Sequence, residues 1–157
     1  MKKIFGLVII MVLLLGCAAA EQEVLLPCSR YAVDVPDWMD FNDAVDGDNG
    51  VDAYVSKDLE MDFLSYRKAD AAAFGMAETL KETAEQRAAA GAKVQLRKVN
   101  GIEMLCFRVT DEEDGAPCIG YVFEDGEWLI EIDFWYATQE AADQAKAIME
   151  TIREKTE

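Results

Sequence analysis

One acidic turn contains the side chains best suited to metal chemistry. Asp46, Asp48 and Asp52 could supply the carboxylate oxygens that a hard cation such as Ca²⁺ prefers. The spacing departs from that of an EF-hand loop, because Gly50 stands where a third ligand is expected and Lys57 stands where a glutamate should close the loop. The sequence therefore favours a solvated turn, with calcium binding as the alternative.

Cysteine provides a second kind of chemistry. Cys106 and Cys118 fall on the same face of two neighbouring predicted strands, where they could lie directly opposite each other within disulfide range. Two reduced thiols, or a bond that involves Cys28, remain open alternatives because connectivity cannot be deduced from sequence alone. In each case these cysteines are expected to be structural rather than catalytic.

The composition excludes several mechanisms within this chain. It contains no histidine, so a Ser-His-Asp triad, a Cys-His dyad and a histidine-bound zinc are impossible. With 31 acidic and 15 basic residues the formal charge is -16, which repels a nucleic-acid backbone. We therefore expect a non-catalytic protein with no cofactor and no nucleic-acid partner. The alternative is a hydrolase that uses two carboxyl groups, which a raised carboxyl pKa in a deep cleft would favour.

Three aromatic residues are candidates for an exposed patch that binds a ligand or a partner. Trp38, Trp135 and Tyr136 qualify because aromatic side chains anchor many interfaces. Trp135 has the parity of the mixed face of its predicted strand, and Tyr136 has that of the core face. Since large aromatic side chains are usually mostly buried, the sequence favours burial of Trp135 beneath a helix.

The N-terminus predicts export. Two lysines precede an apolar run over residues 4–15, which is shorter than the roughly 20 residues that cross a bilayer and is typical of a signal peptide. The run ends in Leu14-Leu15-Gly16-Cys17, which resembles the lipobox of bacterial lipoproteins and implies lipid attachment at Cys17. Ordinary cleavage after Ala20 is the alternative, because residues 18–20 form an A-x-A site.

These observations define the expected domains and location. We expect a lipoprotein signal peptide over residues 1–16, a lipidated N-terminus and short tether over residues 17–30, and a single domain over residues 31–157. The expected location is the bacterial cell envelope, on the extracytoplasmic side, and a secreted protein is the alternative. The membrane is then a partner through the lipid anchor, with an envelope protein or a small ligand as a further partner.

Hydrophobic periodicity predicts the elements that position these side chains. Alternating strands are predicted over residues 31–35, 51–56, 60–67 and 102–109, and on both sides of a two-residue turn at Asp125-Gly126 that sets Phe123 opposite Trp128. Helices are predicted within residues 70–90 and after the cap Thr138, ending at Arg153 and Lys155. The sequence thus predicts an α+β fold, with an antiparallel sheet of about six strands packed with two main helices.

Several segments together resemble the PsbP-like fold family. They are residues 31–38 (YAVDVPDW), residues 99–102 (VNGI), the Asp125-Gly126 hairpin and the closing helix. The family includes the extrinsic PsbP subunit of photosystem II and bacterial envelope lipoproteins of the DcrB type. The resemblance spans residues 31–152 and implies an antiparallel sheet with helices packed on it. It also implies an accessory or binding role rather than catalysis, with no family active site to transfer.

Overall fold

The computed structural model describes residues 21–42, 53–113 and 115–155. Within them the strands are, in chain order, β1 (Glu21–Leu25), β2 (Tyr31–Pro36), β3 (Asp40–Phe41), β4 (Ala53–Val55), β5 (Leu59–Arg67), β6 (Lys93–Val99), β7 (Ile102–Thr110), β8 (Pro117–Asp125), β9 (Trp128–Tyr136) and β10 (Arg153–Glu154). Helix α1 spans Leu80–Ala89 and helix α2 spans Gln139–Glu150. A 3₁₀ segment spans Lys68–Phe74.

The strands form two antiparallel sheets. Seven of them make a large sheet in the order β3-β4-β5-β9-β8-β7-β6, and the small sheet has the order β1-β2-β10. This architecture confirms the predicted α+β fold with an antiparallel sheet and packed helices. The large sheet exceeds the predicted size partly because β6, whose side chains are mostly exposed, adds an edge strand that hydrophobic alternation does not mark.

Other elements pack against both faces of the large sheet. The main core lies on the face that α2 and the small sheet share, and it includes Phe63, Tyr121, Phe134, Ala145 and Ile148. A smaller core lies on the other face beside α1, where Phe107 and Leu129 are buried. The central strands β8 and β9 are therefore largely buried on both faces, including the second face of β9, which carries Glu131 and Asp133.

The two helices differ in how far they follow the prediction. Thr138 caps α2 as expected, since its hydroxyl oxygen accepts a hydrogen bond from the backbone N–H of Ala141 at 3.1 Å. The alanine-rich segment is instead divided, because Gly75 ends the 3₁₀ segment with a φ of 68° and α1 starts only after its own cap at Thr79.

The hairpin between β8 and β9 has a different register from the predicted one. Asp125 pairs with Trp128, so the turn residues are Gly126 and Glu127, and Phe123 lies opposite Ile130 rather than Trp128. Gly126 has a φ of 59° at the first central position, where a type II′ turn requires a positive value. The predicted pairing is wrong by two residues. The faces are unchanged, because a shift of two keeps the alternation of side chains.

The small sheet corrects the predicted ends of the domain. Glu21–Leu25, placed within the predicted tether, form β1 and pair with β2. The predicted end of the last helix is also wrong, because α2 stops at Glu150 and Arg153 belongs to β10. The guanidinium of Arg153 on β10 lies 2.7 Å from a carboxylate oxygen of Glu23 on β1 and 2.8 Å from one of Asp34 on β2, so one side chain joins all three strands of the small sheet.

Candidate functional site

The three candidate aromatic residues do not form one patch. Trp135 and Tyr136 are neighbours on β9 and therefore point to opposite faces of the sheet, and both are half-buried. Trp38 is 39% exposed and lines a separate cavity near the start of α2. A role for Trp38 in ligand binding stays a prediction.

The cysteines are not arranged as the sequence suggested. Cys106 lies opposite Tyr121, whereas Cys118 lies opposite Val109, so the two cysteines are on opposite faces of the sheet. All three described cysteines are free thiols. The expectation that Cys106 and Cys118 face each other is therefore wrong. The reason is the register of the β7–β8 hairpin, which places Leu105 with Val122 and not with the main core.

Several predicted sites lie outside the described residues. They are the signal peptide, the lipid attachment site Cys17 and the aspartates Asp46, Asp48 and Asp52, whose roles stay predictions. Among the residues that the structure describes, no group of three or more Asp, Glu or Cys side chains is arranged to hold a metal ion. No helix in the same part of the chain is long and apolar enough to cross a membrane.

A cluster of acidic side chains lies within the second face of the large sheet. Asp62 on β5 is directly opposite Asp133 on β9, and Glu131 is two residues before Asp133 on the same face. Glu131 is only 3% exposed and forms an ion pair with Arg87 of α1. The guanidinium of Arg87 also lies over the ring of Phe107, 4.5 Å from its centre.

Burial controls the protonation of this cluster. Loss of hydration, reinforced by the nearby charge of Glu131, raises the pKa of Asp133 to about 8. Burial and the charge of Glu60 raise the pKa of Asp62 to about 6. The pKa of Glu131 is also raised by burial, although Arg87 opposes the shift. The raised pKa values meet one criterion for a carboxylate-dependent hydrolase.

The second criterion is an open cleft, and this cluster does not provide one. The Oδ1 atoms of Asp62 and Asp133 are buried, and Glu131 is closed off by Arg87. Gly120 lies beside Asp133 and permits close packing of Phe107, because a Cβ at Gly120 would lie 2.0 Å from Cζ of that ring. The arrangement is that of a packed polar core, not of a substrate site.

A cleft on the other face is the candidate binding site. Its volume is about 230 Å³, and it lies where α2 leaves the edge of the main-core face uncovered. Its four cationic residues are Lys93, Arg97, Arg108 and Lys146, and we call it the cationic cleft. The other lining residues are Val94, Gln95, Cys106, Phe107, Ile119 and Tyr121. None of the ten is acidic, in a chain with 31 acidic and 15 basic residues.

Strand register brings the cations together. Lys93 on β6 lies directly opposite Arg108 on β7, and Arg97 lies on the same face of β6. Like charges in opposite positions destabilise a sheet, so this pair is unfavourable unless an anion offsets it. Among the described residues, no carboxylate forms an ion pair with Lys93, Arg97 or Arg108, whereas Lys146 lies 2.7 Å from Asp143.

Arg97 is held in position by uncharged groups. Its Nε donates to the sulfur of Cys106 at 3.0 Å, and its Nη2 donates to the hydroxyl oxygen of Tyr121 at 3.3 Å. Burial raises the pKa of both the Cys106 thiol and the Tyr121 hydroxyl, against the opposing influence of Arg97. Both groups are therefore neutral at physiological pH, and they orient the guanidinium without cancelling its charge.

The predictions from sequence did not include the cationic cleft. One local signal was available, because residues 93–98 (KVQLRK) contain three cations and no acid in a strongly acidic chain. Arg108 and Lys146 come from a different strand and from α2, so only the fold shows that they share one cleft.

The comparisons with known proteins bear on the fold. Comparisons with protein-family profiles and with curated protein sequences each found no match. A crystal structure from Bacteroides thetaiotaomicron VPI-5482 is similar over 87% of this chain, with 13% identity and a TM-score of 0.58. The match covers 49% of that protein, so this chain spans about half its length.

The second similar structure is a solution structure of cyanobacterial PsbP (CyanoP) from Synechocystis sp. PCC 6803. It has 16% identity and a TM-score of 0.52, and the match covers 87% of this chain and 94% of that one. At such identity the similarity concerns the fold alone. The antiparallel sheets, the packed helices and this structural neighbour together show that the chain has a PsbP-like fold.

Proposed function

We propose that this protein is an extracytoplasmic lipoprotein, attached to the membrane through Cys17, whose domain is a non-catalytic binding module. The observation that carries the binding role is the cationic cleft, where four cations line one cavity without an acidic neighbour among its lining residues. A binding role is also in keeping with the accessory function that a PsbP-like fold suggests by analogy.

The position of β1 supports a short connection to the membrane. The strand begins at Glu21, so a chain anchored at Cys17 has only three residues, 18–20, between the lipidated cysteine and β1. At roughly 3.3 Å per residue this link reaches little more than about 10 Å. Since the acidic domain is repelled by anionic headgroups, the acyl chains must provide the attachment.

A carboxylate-dependent hydrolase is the second candidate, and the pKa of about 8 at Asp133 is the observation that favours it. The binding module is preferred because the Oδ1 atoms of Asp62 and Asp133 are buried and Arg87 covers Glu131. The hydrolase hypothesis requires Asp133→Asn to abolish turnover of an envelope substrate. The binding hypothesis expects the same variant to leave ligand binding in the cationic cleft intact.

Detergent phase partitioning of the natively expressed protein tests the anchor. We expect the wild type to enter the detergent phase because it carries the acyl chains on Cys17. Cys28→Ser should do the same, because this substitution leaves Cys17 intact. A variant whose signal peptide and Cys17 are replaced by a signal peptide that is cleaved before Glu21 should remain in the aqueous phase. Recovery of the wild type in the aqueous phase would refute membrane anchoring.

A further inference from the structure

We propose that the cationic cleft binds a small oxyanion with at least two negative charges, such as the phosphoryl group of a phosphate monoester. This inference rests on the proposed binding role and names the chemical class of the ligand. It excludes large polyanions such as nucleic acid, because the domain around the cleft is acidic overall.

The charge of the cleft sets the minimum charge of the ligand. Lys93, Arg97 and Arg108 form no ion pair within the described chain, and Asp143 neutralises part of the charge of Lys146. A ligand with one negative charge would leave most of this positive charge uncompensated. A phosphate monoester or a pyrophosphate carries about two charges or more, and its oxygens match the planar, forked donors of arginine.

Cations elsewhere on the domain are used differently. On the remaining described surface most of them pair with acidic side chains, as in Arg30–Asp125, Lys68–Glu124, Arg87–Glu131 and Arg153–Asp34, and the two exceptions are Lys57 and Lys98. In a chain with about two acids for each base, such pairing is readily available. The cationic cleft therefore differs from the rest of the described surface, because three of its cations converge on one cavity without a carboxylate partner. A bound anion would stabilise this arrangement.

The size and lining of the cleft restrict the ligand further. Its volume is about 230 Å³. That space holds a phosphoryl group and a small attached body. Ile119 and the ring of Tyr121 contribute apolar surface to the cleft, and beside such surface the attraction between the cations and the ligand is stronger than in bulk water.

Calorimetric titration of the natively processed protein in a nonionic detergent tests the proposal. Pyrophosphate is the soluble probe, with sodium chloride at equal ionic strength as the reference. Nonionic micelles doped with phosphatidic acid, whose headgroup is a phosphate monoester, are the second probe, which distinguishes a lipid headgroup from a free phosphate. Arg97→Gln and Arg108→Gln should each weaken binding by about tenfold, because each removes a charged donor. Lys81→Gln on α1 removes the same charge elsewhere and should change binding by less than about twofold.

Cys106 provides an independent readout, because its sulfur lines the cleft and contacts Arg97. Bound pyrophosphate should slow alkylation of Cys106 several-fold, as quantified on the isolated peptide. The exposed Cys28 should react at the same rate with and without the probe. This measurement on the wild type does not depend on the folding of any variant.

Two results would support the proposal and two would overturn it. Cleft-dependent binding of pyrophosphate supports a soluble ligand, and cleft-dependent binding of the phosphatidic acid micelles alone supports a lipid headgroup. Absence of binding with both probes overturns the proposal, as does binding that Lys81→Gln weakens as much as Arg97→Gln. Failure here leaves the lipid anchor untouched, whereas an unlipidated chain that still binds pyrophosphate would refute only the anchor.

Discussion

Asp62 on β5 and Asp133 on β9 face each other across paired strands, and the Oδ1 atom of each is buried with no hydrogen-bond partner among the described residues. Two ionised carboxylates would repel each other there. Burial and the charge of Glu131 raise the pKa of Asp133 to about 8, so Asp133 remains protonated near neutral pH. The domain therefore contains a titratable group whose protonation is linked to folding.

Substitution of Asp133 should remove a pH dependence of stability. Its pKa is about 8 in the folded state and 3.8 in the reference state, so the folded protein holds a proton that the unfolded chain releases. This destabilises the fold progressively as the pH rises from about 4 to about 8. Asp133→Asn should therefore gain roughly 3–4 kcal/mol more stability, relative to the wild type, at pH 8 than at pH 5.

Urea denaturation at both pH values checks this prediction. Asp70→Asn is the control, because Asp70 is exposed at the surface. A stability difference between Asp133→Asn and the wild type that is the same at pH 5 and pH 8 would contradict the assigned protonation of Asp133.

Removal of Arg87 should leave a buried charge without a partner. Glu131 is 3% exposed, and Arg87 is its ion-pair partner. Because the Arg87 side chain is 37% exposed, we expect a loss of about 2 kcal/mol for Arg87→Met at pH 8, less than for a fully buried pair. The double variant Arg87→Met with Glu131→Gln should recover part of the loss. Equal losses in the single and double variants, measured by urea denaturation, would show that Arg87 acts through packing alone.

Gly120 should not tolerate a side chain. A Cβ at this position would lie 2.0 Å from Cζ of Phe107 and 2.6 Å from Oδ1 of Asp133. We expect Gly120→Ala to destabilise the domain by roughly 1–3 kcal/mol, because the ring must move out of its packed position. The same substitution should have a smaller effect in a Phe107→Leu background. Additive losses in a thermodynamic cycle would show that Phe107 is not the obstacle.

The described cysteines should differ in reactivity under native conditions. Cys28 is exposed, whereas Cys118 is 1% exposed and burial, together with the charge of Asp133, raises the pKa of its thiol. Since the thiolate is the reactive form, iodoacetamide should label Cys28 first and Cys118 last. Peptide mass spectrometry gives the order directly. A bond between Cys106 and Cys118 would contradict the structure, because the two lie on opposite faces of the sheet.

The central elements of the fold follow from local sequence. Strand β2, the strands on both sides of Gly126 and the cap of α2 at Thr138 were predicted because alternation, turn residues and capping residues act over a few positions. The class followed from the order of these elements, whereas the PsbP-like architecture was implied by the resemblance of residues 31–38, residues 99–102, the hairpin and the closing helix to that family.

The register between paired strands and the edge strands of the sheet were harder to predict from the sequence. The position of Cys106 relative to Cys118 depends on the loop between β7 and β8, and an error of one residue moves a side chain to the other face. Strand β6 is mostly exposed, so it lacks a hydrophobic pattern. The cationic cleft combines Arg97, Arg108 and Lys146 from three elements, and only their tertiary arrangement shows that they meet.

The intact mass of the natively expressed protein tests the central claim most directly. A lipid-anchored module should begin at Cys17 and carry a diacylglycerol group, with or without a third acyl chain. An unmodified chain that begins at Glu21 would contradict membrane anchoring and would make the domain a secreted protein.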